Sequence, residues 1–254
     1  MVKMKKYLDQ NACIAGMTLK DLNRKEENNM ALHVCKEETA VLENRKALAH
    51  SLGVTLDDFV CANQTHSTNF YEVKREDVGK GAYTMDTAIS DTDALYTYEP
   101  NIVLCSFTAD CVPVLFYHKE AGLIGAIHSG WQGTVKEIAK KLFTYLIKEK
   151  GHDPFGFRVF LGMALSQEKF EVDQDVYEQF HALNYADANI SYKEKTNKYH
   201  IDNQLTVKRQ CELIGIPKEH ISLDRDCTFK SKTGFSYREE KHAGRHVSFI
   251  MRKE

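Results

Sequence analysis

An α+β fold, with amphipathic helices laid over sheet faces, is what this sequence predicts, on three observations. Short runs rich in β-branched and aromatic residues recur along the chain, separated by turn chemistry. A few segments switch instead to helical periodicity. The strands come in runs rather than in strict alternation with helices. No repeat, low-complexity tract or long Gly/Ser/Pro linker interrupts the sequence, so residues 1–254 are read as a single domain.

The elements follow in order. Residues 37–53 (EETAVLENRKALAHSLG) set Val41, Leu42, Arg45, Leu48, Ala49 and Leu52 on one helical face, with Gly53 as the stop. Residues 58–73 read as a strand, a polar turn carrying His66, and a second strand. Four apolar runs come next, at 93–97, 102–108, 112–118 and 122–128. Residues 133–151 carry the clearest helical pattern: Val135, Ile138, Ala139, Leu142, Phe143, Leu146 and Ile147 recur at helical spacing, with Thr134 as N-cap and Gly151 as stop. A strand at 157–162 and helices near 173–183 and 203–214 complete the middle of the chain. Strands at 221–224, 235–239 and 246–252 close it.

Composition narrows the function. Thirty-four basic and 36 acidic residues leave a net charge of −2, which offers nothing to nucleic acid or to an anionic membrane surface. No stretch approaches a membrane span, and the basic start MVKMKKYLDQ lacks an apolar signal core, so a cytoplasmic protein is expected. Seven cysteines, at 13, 35, 61, 105, 111, 211 and 227, form no disulfide pattern. Most are expected to be small buried thiols.

Cys111 stands apart. It follows Asp110 at a strand end; His128 ends a neighbouring strand before SGWQG, and His66 lies in the turn NQTHSTN. Element ends are where a rigid scaffold can aim side chains into one pocket. Two imidazoles and a thiolate are a set that zinc accepts, with a fourth position left for water whose pKa then falls to about 7. The same atoms fit a Cys–His nucleophile, and the plain reading is two unrelated histidines and a buried thiol. Asp110 either orients a ligand or caps its turn. Trp131, the only tryptophan, either stacks on a planar base or fills the core. Arg238 and Arg245 are candidate anion forks on a surface where arginines are usually solvated.

Taken together, these motifs resemble a bacterial family variously called multicopper polyphenol oxidase or laccase-like, peptidoglycan editing factor, and zinc-dependent purine nucleoside phosphorylase. The likeness runs from about residue 30 to residue 252. It rests on ENR (43–45), NQTHS, TDALYT, TADCVPV, HSGWQG, YHIDNQ, DCTF, FSYR and AGRHVSFI in a fixed order. The resemblance implies an αββα layered sandwich with zinc held by His66, Cys111 and His128. It implies phosphorolysis of adenosine, inosine and S-methyl-5′-thioadenosine, with deamination of adenosine at the same metal. Asp110, Cys111 and His128 are then the catalytic candidates, with Asp110 the nearest proton carrier. Arg45, Gln64, Trp131, Tyr237 and Arg238 are the substrate-binding ones, with Arg45 first in line for phosphate. The expected partners are a purine nucleoside and phosphate, without nucleic acid or membrane. Two alternatives stand: a copper-dependent polyphenol oxidase, and an amidase that edits peptidoglycan precursors. The chain departs from the family in three places. Gln132 replaces the usual arginine, residues 160–172 lack the usual prolines and cysteines, and GMTLKD (16–21) replaces a glycine-rich start.

Overall fold

Strand residues buried on both sides make most of this protein's sheet, and their alternation decides which layer each one faces. The computed structural model describes residues 2–10 and 12–254. Along the chain run β1 (Met4–Gln10), β2 (Cys13–Thr18), α1 (Glu38–Leu52), β3 (Phe59–Val60), β4 (Phe70–Glu72) and β5 (Ala94–Thr97). Next come β6 (Val103–Thr108), β7 (Val112–His118), β8 (Ile124–Ser129), α2 (Trp131–Val135), α3 (Ile138–Lys148) and β9 (Phe157–Leu161). β10 (Glu171–Val172), α4 (Gln174–His181), β11 (Ile190–Lys193), β12 (Lys198–Ile201), α5 (Asn203–Leu213), β13 (Ile221–Leu223) and β14 (His246–Arg252) complete it.

The strands form a five-stranded sheet in the order β1-β2-β14-β6-β3 and a six-stranded sheet in the order β13-β9-β7-β8-β5-β4. A small third sheet, β10-β12-β11, sits apart from both. Between the two large sheets lie Leu104 and Ile250 from one, and Leu95, Leu115, Ile124 and Ala126 from the other. The alternate residues point outwards: Val103, Cys105, Phe249 and Met251 pack with Leu48, Ala49 and Leu52 of α1. On the far side, Val114, Phe116 and Ile127 pack with Leu142, Phe143 and Leu146 of α3 and with Val207 and Cys211 of α5. Helix, sheet, sheet and helix are therefore stacked in that order, and the mixed α+β character expected from the sequence is what the chain adopts.

Three local expectations fail for physical reasons. The single helix over 133–151 is two helices, because Glu137 between them takes a left-handed backbone at φ 62. Val135 packs in the Phe170 and Phe180 cluster whereas Ile138 packs against the six-stranded sheet, so the chain must turn between them. Thr134 is not an N-cap: Gly130 occupies that position, and the Thr134 hydroxyl donates to the Gly130 carbonyl at 3.1 Å. Residues 235–239 form a turn rather than a strand, and the paired strands β1 and β2 have no counterpart in the sequence reading.

His246, at the head of β14 and fully buried, ties this turn to the sheet. Its Nε2 accepts from the Phe235 amide at 2.7 Å, and its Nδ1 donates to the Thr18 carbonyl at 2.7 Å. Burial lowers its pKa from 6.5 to about 4. Below pH 6.5 the unfolded chain takes a proton that the folded chain refuses, so stability falls with pH until about 4 and no further. At 1.36 kcal/mol per pKa unit this amounts to about 3 kcal/mol. Urea unfolding at pH 7 and pH 4.5 is expected to show this loss in the wild-type chain and a smaller one in His246→Asn. Parallel losses in the two proteins would contradict the assignment.

Candidate metal centre

The site is assembled where β5, β7 and β8 end side by side. Antiparallel pairing of β7 with β8 sets Val112 opposite Ser129 and Pro113 opposite His128, which brings the Cys111 turn to the His128 end. β5 pairs with the other edge of β8, and the His128 amide donates to the Asp93 carbonyl at 2.7 Å. The third residue, His66, arrives on the loop between β3 and β4.

His66, Cys111 and His128 offer ligand atoms that all lie within 4.8 Å of one another. The two imidazole rings meet edge to face, with centroids 4.7 Å apart. One of the three positions, and the residue just before another, carry backbone that most residues avoid: His66 itself has φ 59, and Asp110, immediately before Cys111, has φ 84. Non-glycine residues held there cost about 1–3 kcal/mol each, a cost that clusters at functional sites.

The donor set fits a divalent cation. His66 Nδ1 is buried without a hydrogen-bond partner, a condition a native interior rarely leaves unrelieved. A Cβ built on Gly130 would lie 2.5 Å from that nitrogen and 3.0 Å from the Cys111 sulfur, so both atoms crowd the one position where a side chain is missing. Two nitrogens and one sulfur with an open fourth direction match zinc's preference.

Sequence reasoning missed the residue that organises these ligands. Asp93, its carboxylate fully buried, accepts from His128 Nδ1 at 2.7 Å. The same carboxylate accepts from the amides of Thr65 and His66, each at 3.1 Å, and from the amide and hydroxyl of Ser67, each at 2.7 Å. One carboxylate thus fixes the ring of one ligand and the backbone of another, and leaves His128 Nε2 to face the site. Burial pushes the Asp93 pKa up, but His128 and the Ser67 donors outweigh it and hold it at about 2. Burial likewise opposes charge on His128, yet Cys111 and Asp93 raise its pKa to about 9. His66 goes the other way: burial, then the charge of His128, lowers it to about 4, so it is neutral at physiological pH. The sequence signal for Asp93 lay in TDALYT, quoted above for its likeness alone.

Asp110 is placed differently from expectation. Its Oδ1 accepts from the Thr228 hydroxyl at 2.6 Å and its Oδ2 from the Arg238 amide at 2.7 Å. Both oxygens are engaged in anchoring the carboxy-terminal loop beside Cys111, rather than in orienting a histidine.

The three side chains open into a cavity of about 1120 Å³, and Arg45, Gln64, Trp131, Tyr237 and Arg238 all line it. One wall is cationic. Arg45, 2% exposed, donates from Nε to Met30 and from Nη1 to Gly81 and Ala82, and its guanidinium lies 5.0 Å from the Phe107 ring centroid. Its Nη2 has no partner. Gln64 grips Phe107 through two backbone hydrogen bonds of 2.8 Å, which fixes the strand beside the loop that carries His66. Arg245 completes this wall, anchored through its amide to Asn29 at 2.8 Å. Another wall is apolar: Trp131, Leu165, Phe170, Val172 and Val176 all belong to one packed cluster and all line the cavity. Tyr237, half exposed, and Arg238, donating to the Glu171 carbonyl at 2.9 Å, stand at the mouth. Gln132 lies outside the lining.

A family model described as multi-copper polyphenol oxidoreductase laccase matches residues 20–253. The purine nucleoside phosphorylase YlmD of Bacillus subtilis is 33% identical over 252 residues, covering 95% of this chain and 89% of its own. A purine nucleoside phosphorylase of Bacteroides thetaiotaomicron is 34% identical over 194 residues, covering 76% and 72%. Among solved structures, a hypothetical protein YfiH of Bacillus licheniformis superposes with a TM-score of 0.93 at 32% identity, over 99% of this chain and 97% of that one. YlmD from Geobacillus stearothermophilus does so with a TM-score of 0.89 at 30% identity, over 96% and 93%.

Proposed function

Because this chain belongs to the multi-copper polyphenol oxidoreductase laccase family, whose relatives above include proteins named purine nucleoside phosphorylases, we propose that it is a zinc-dependent purine nucleoside phosphorylase. The observation that carries this reading is a single cavity in which the His66, Cys111 and His128 ligand atoms converge beside an unpaired, buried guanidinium nitrogen of Arg45. A cation and an anion are both provided for in one place. The reading covers adenosine, inosine and S-methyl-5′-thioadenosine, with deamination of adenosine as a second activity.

Phosphorolysis exchanges the bond between ribose C1′ and the base nitrogen for one between C1′ and a phosphate oxygen. The base leaves with the electron pair and takes up a proton. Arg45 Nη2 is the donor that a phosphate oxygen would satisfy, at a position desolvated enough to make a charged hydrogen bond strong. Asp93 holds the His128 ring so that its Nε2 is the available ligand atom. The apolar wall excludes water from one side of the bound base. Zinc held by His66, Cys111 and His128 would supply Lewis acidity and a polarised water. No second cluster of three such side chains occurs among the described residues, whereas multicopper oxidation calls for several sets of clustered ligands.

The deciding experiment incubates zinc-loaded protein with adenosine, with and without phosphate, and identifies the products. Free adenine with ribose 1-phosphate, formed only when phosphate is present, is expected. Inosine appearing without phosphate shows deamination. Stoichiometric copper with phenol turnover, or amide cleavage of muropeptide precursors without purine turnover, would replace this reading by the polyphenol oxidase or the editing amidase.

A further inference from the structure

We propose that the apolar wall is the purine pocket and that Asn203 selects 6-amino purines within it. This rests on the nucleoside reading above and deepens it. Asn203 opens α5, lines the same cavity as the metal ligands, and is 6% exposed. Its Nδ2 donates to the Ser129 carbonyl at 3.4 Å, while its Oδ1 is buried with no partner. Turning the amide over would set Oδ1 against the Ser129 oxygen, two acceptors face to face, so the amide is fixed with its acceptor outstanding. A buried acceptor left unpaired carries its full desolvation cost, and a donor on a bound molecule would relieve it.

The surroundings say what kind of molecule this is. Ser129, which holds the amide, is two residues from Trp131, so the indole and Asn203 are carried by touching segments at the His128 end of β8. Leu165, Phe170 and Val176 extend the indole into an apolar face, suited to a flat aromatic ring that carries a few polar atoms on its edge. An adenine edge offers a 6-amino donor to Oδ1. A hypoxanthine edge presents a 6-oxo acceptor at that position, its one ring donor, N1–H, lying further along the edge, and two acceptors face to face repel. A site built to receive a hydrogen bond rejects a ligand that cannot make it more strongly than an apolar pocket rejects a small change of shape.

Trp131 is the only tryptophan of the chain, so tryptophan emission, excited beyond the absorption of the twelve tyrosines, reports on this wall. The zinc-loaded protein is mixed rapidly, without phosphate, with adenosine, with inosine or with purine riboside, which lacks a 6-substituent, and the emission is read before turnover, the quenched mixture confirming that the nucleoside is intact. Adenosine is expected to change the emission saturably, with a Kd about tenfold below those of the other two, equivalent to about 1.4 kcal/mol. In Asn203→Leu, with circular dichroism and metal content unchanged, adenosine is expected to fall to within about twofold of inosine. Equal affinities in the wild-type protein, or a preference for adenosine that survives in Asn203→Leu, overturns the assignment. The comparison of ligands needs no variant, so it decides the matter even where Asn203→Leu misfolds. Turnover of all three with equal Kd sinks the role of Asn203 alone; absence of both binding and turnover sinks the nucleoside reading with it.

Discussion

Cys111→Ser and His128→Ala are each expected to abolish metal binding and nucleoside turnover together. The cation would be held by three side chains from three separate segments, whose ligand atoms lie within 4.8 Å of one another. Removing one leaves two ligands and a cavity that cannot complete the coordination shell. A bound metal contributes several kcal/mol of charge stabilisation, so its loss is expected to lower turnover on the order of a thousandfold. Elemental analysis of the purified variants, beside product formation from adenosine, checks both halves. Full activity in a variant stripped of metal would end the zinc mechanism. His66→Ala separates the remaining alternative: a Cys111–His128 nucleophile pair has no need of His66, whereas the metal reading loses activity with it. The pairing of His128 with Asp93 at 2.7 Å is compatible with either chemistry, so the response of His66 is the informative one.

Much of this site was legible because its residues are chemically conspicuous. A cysteine after an aspartate at a strand end, and two histidines at turns, stand out among apolar runs. The family likeness implies all three as ligands. Strands β5 to β8 were legible for a related reason, since continuous apolar runs buried on both faces leave no helical stripe, and β9 was legible from its strict alternation. What was hidden depended on contacts between distant segments. Asp93 sits one residue ahead of an unremarkable strand, and only the pairing of β5 with β8 puts its carboxylate on His128. Asp110 was the obvious carboxylate by sequence proximity, but Thr228 and Arg238, more than a hundred residues away, claim its oxygens. The break at Glu137 was invisible because Val135 and Ile138 continue one helical stripe while facing two different cores. β1 escaped notice because four of its first six residues are lysine, methionine or tyrosine at a half-exposed sheet edge, where alternation is weak.

Gly130→Ala is expected to destroy the metal site while leaving every ligand in the sequence. The backbone there, φ −66 and ψ 169, is ordinary for any residue, so the substitution introduces no conformational strain of its own. Its effect is steric. The new Cβ would lie 2.5 Å from His66 Nδ1, 2.6 Å from His66 Cε1 and 3.0 Å from the Cys111 sulfur, distances that force one ligand away. The His66 loop cannot yield freely, since the Asp93 carboxylate holds its backbone at Thr65, His66 and Ser67. Changes outside the ligand shell already cost 10–100-fold in affinity, so displacing a ligand is expected to cost about a hundredfold or more. Gly133→Ala is the control from the same short helix: its Cβ would meet nothing closer than Ile138 at 3.4 Å, and metal affinity is expected to stay near that of the wild type. Zinc titration of the two metal-free variants, with circular dichroism to confirm equal folding, compares them directly. Wild-type affinity in Gly130→Ala would mean that the cation does not sit between His66 and Cys111, and the three-ligand site would have to be abandoned.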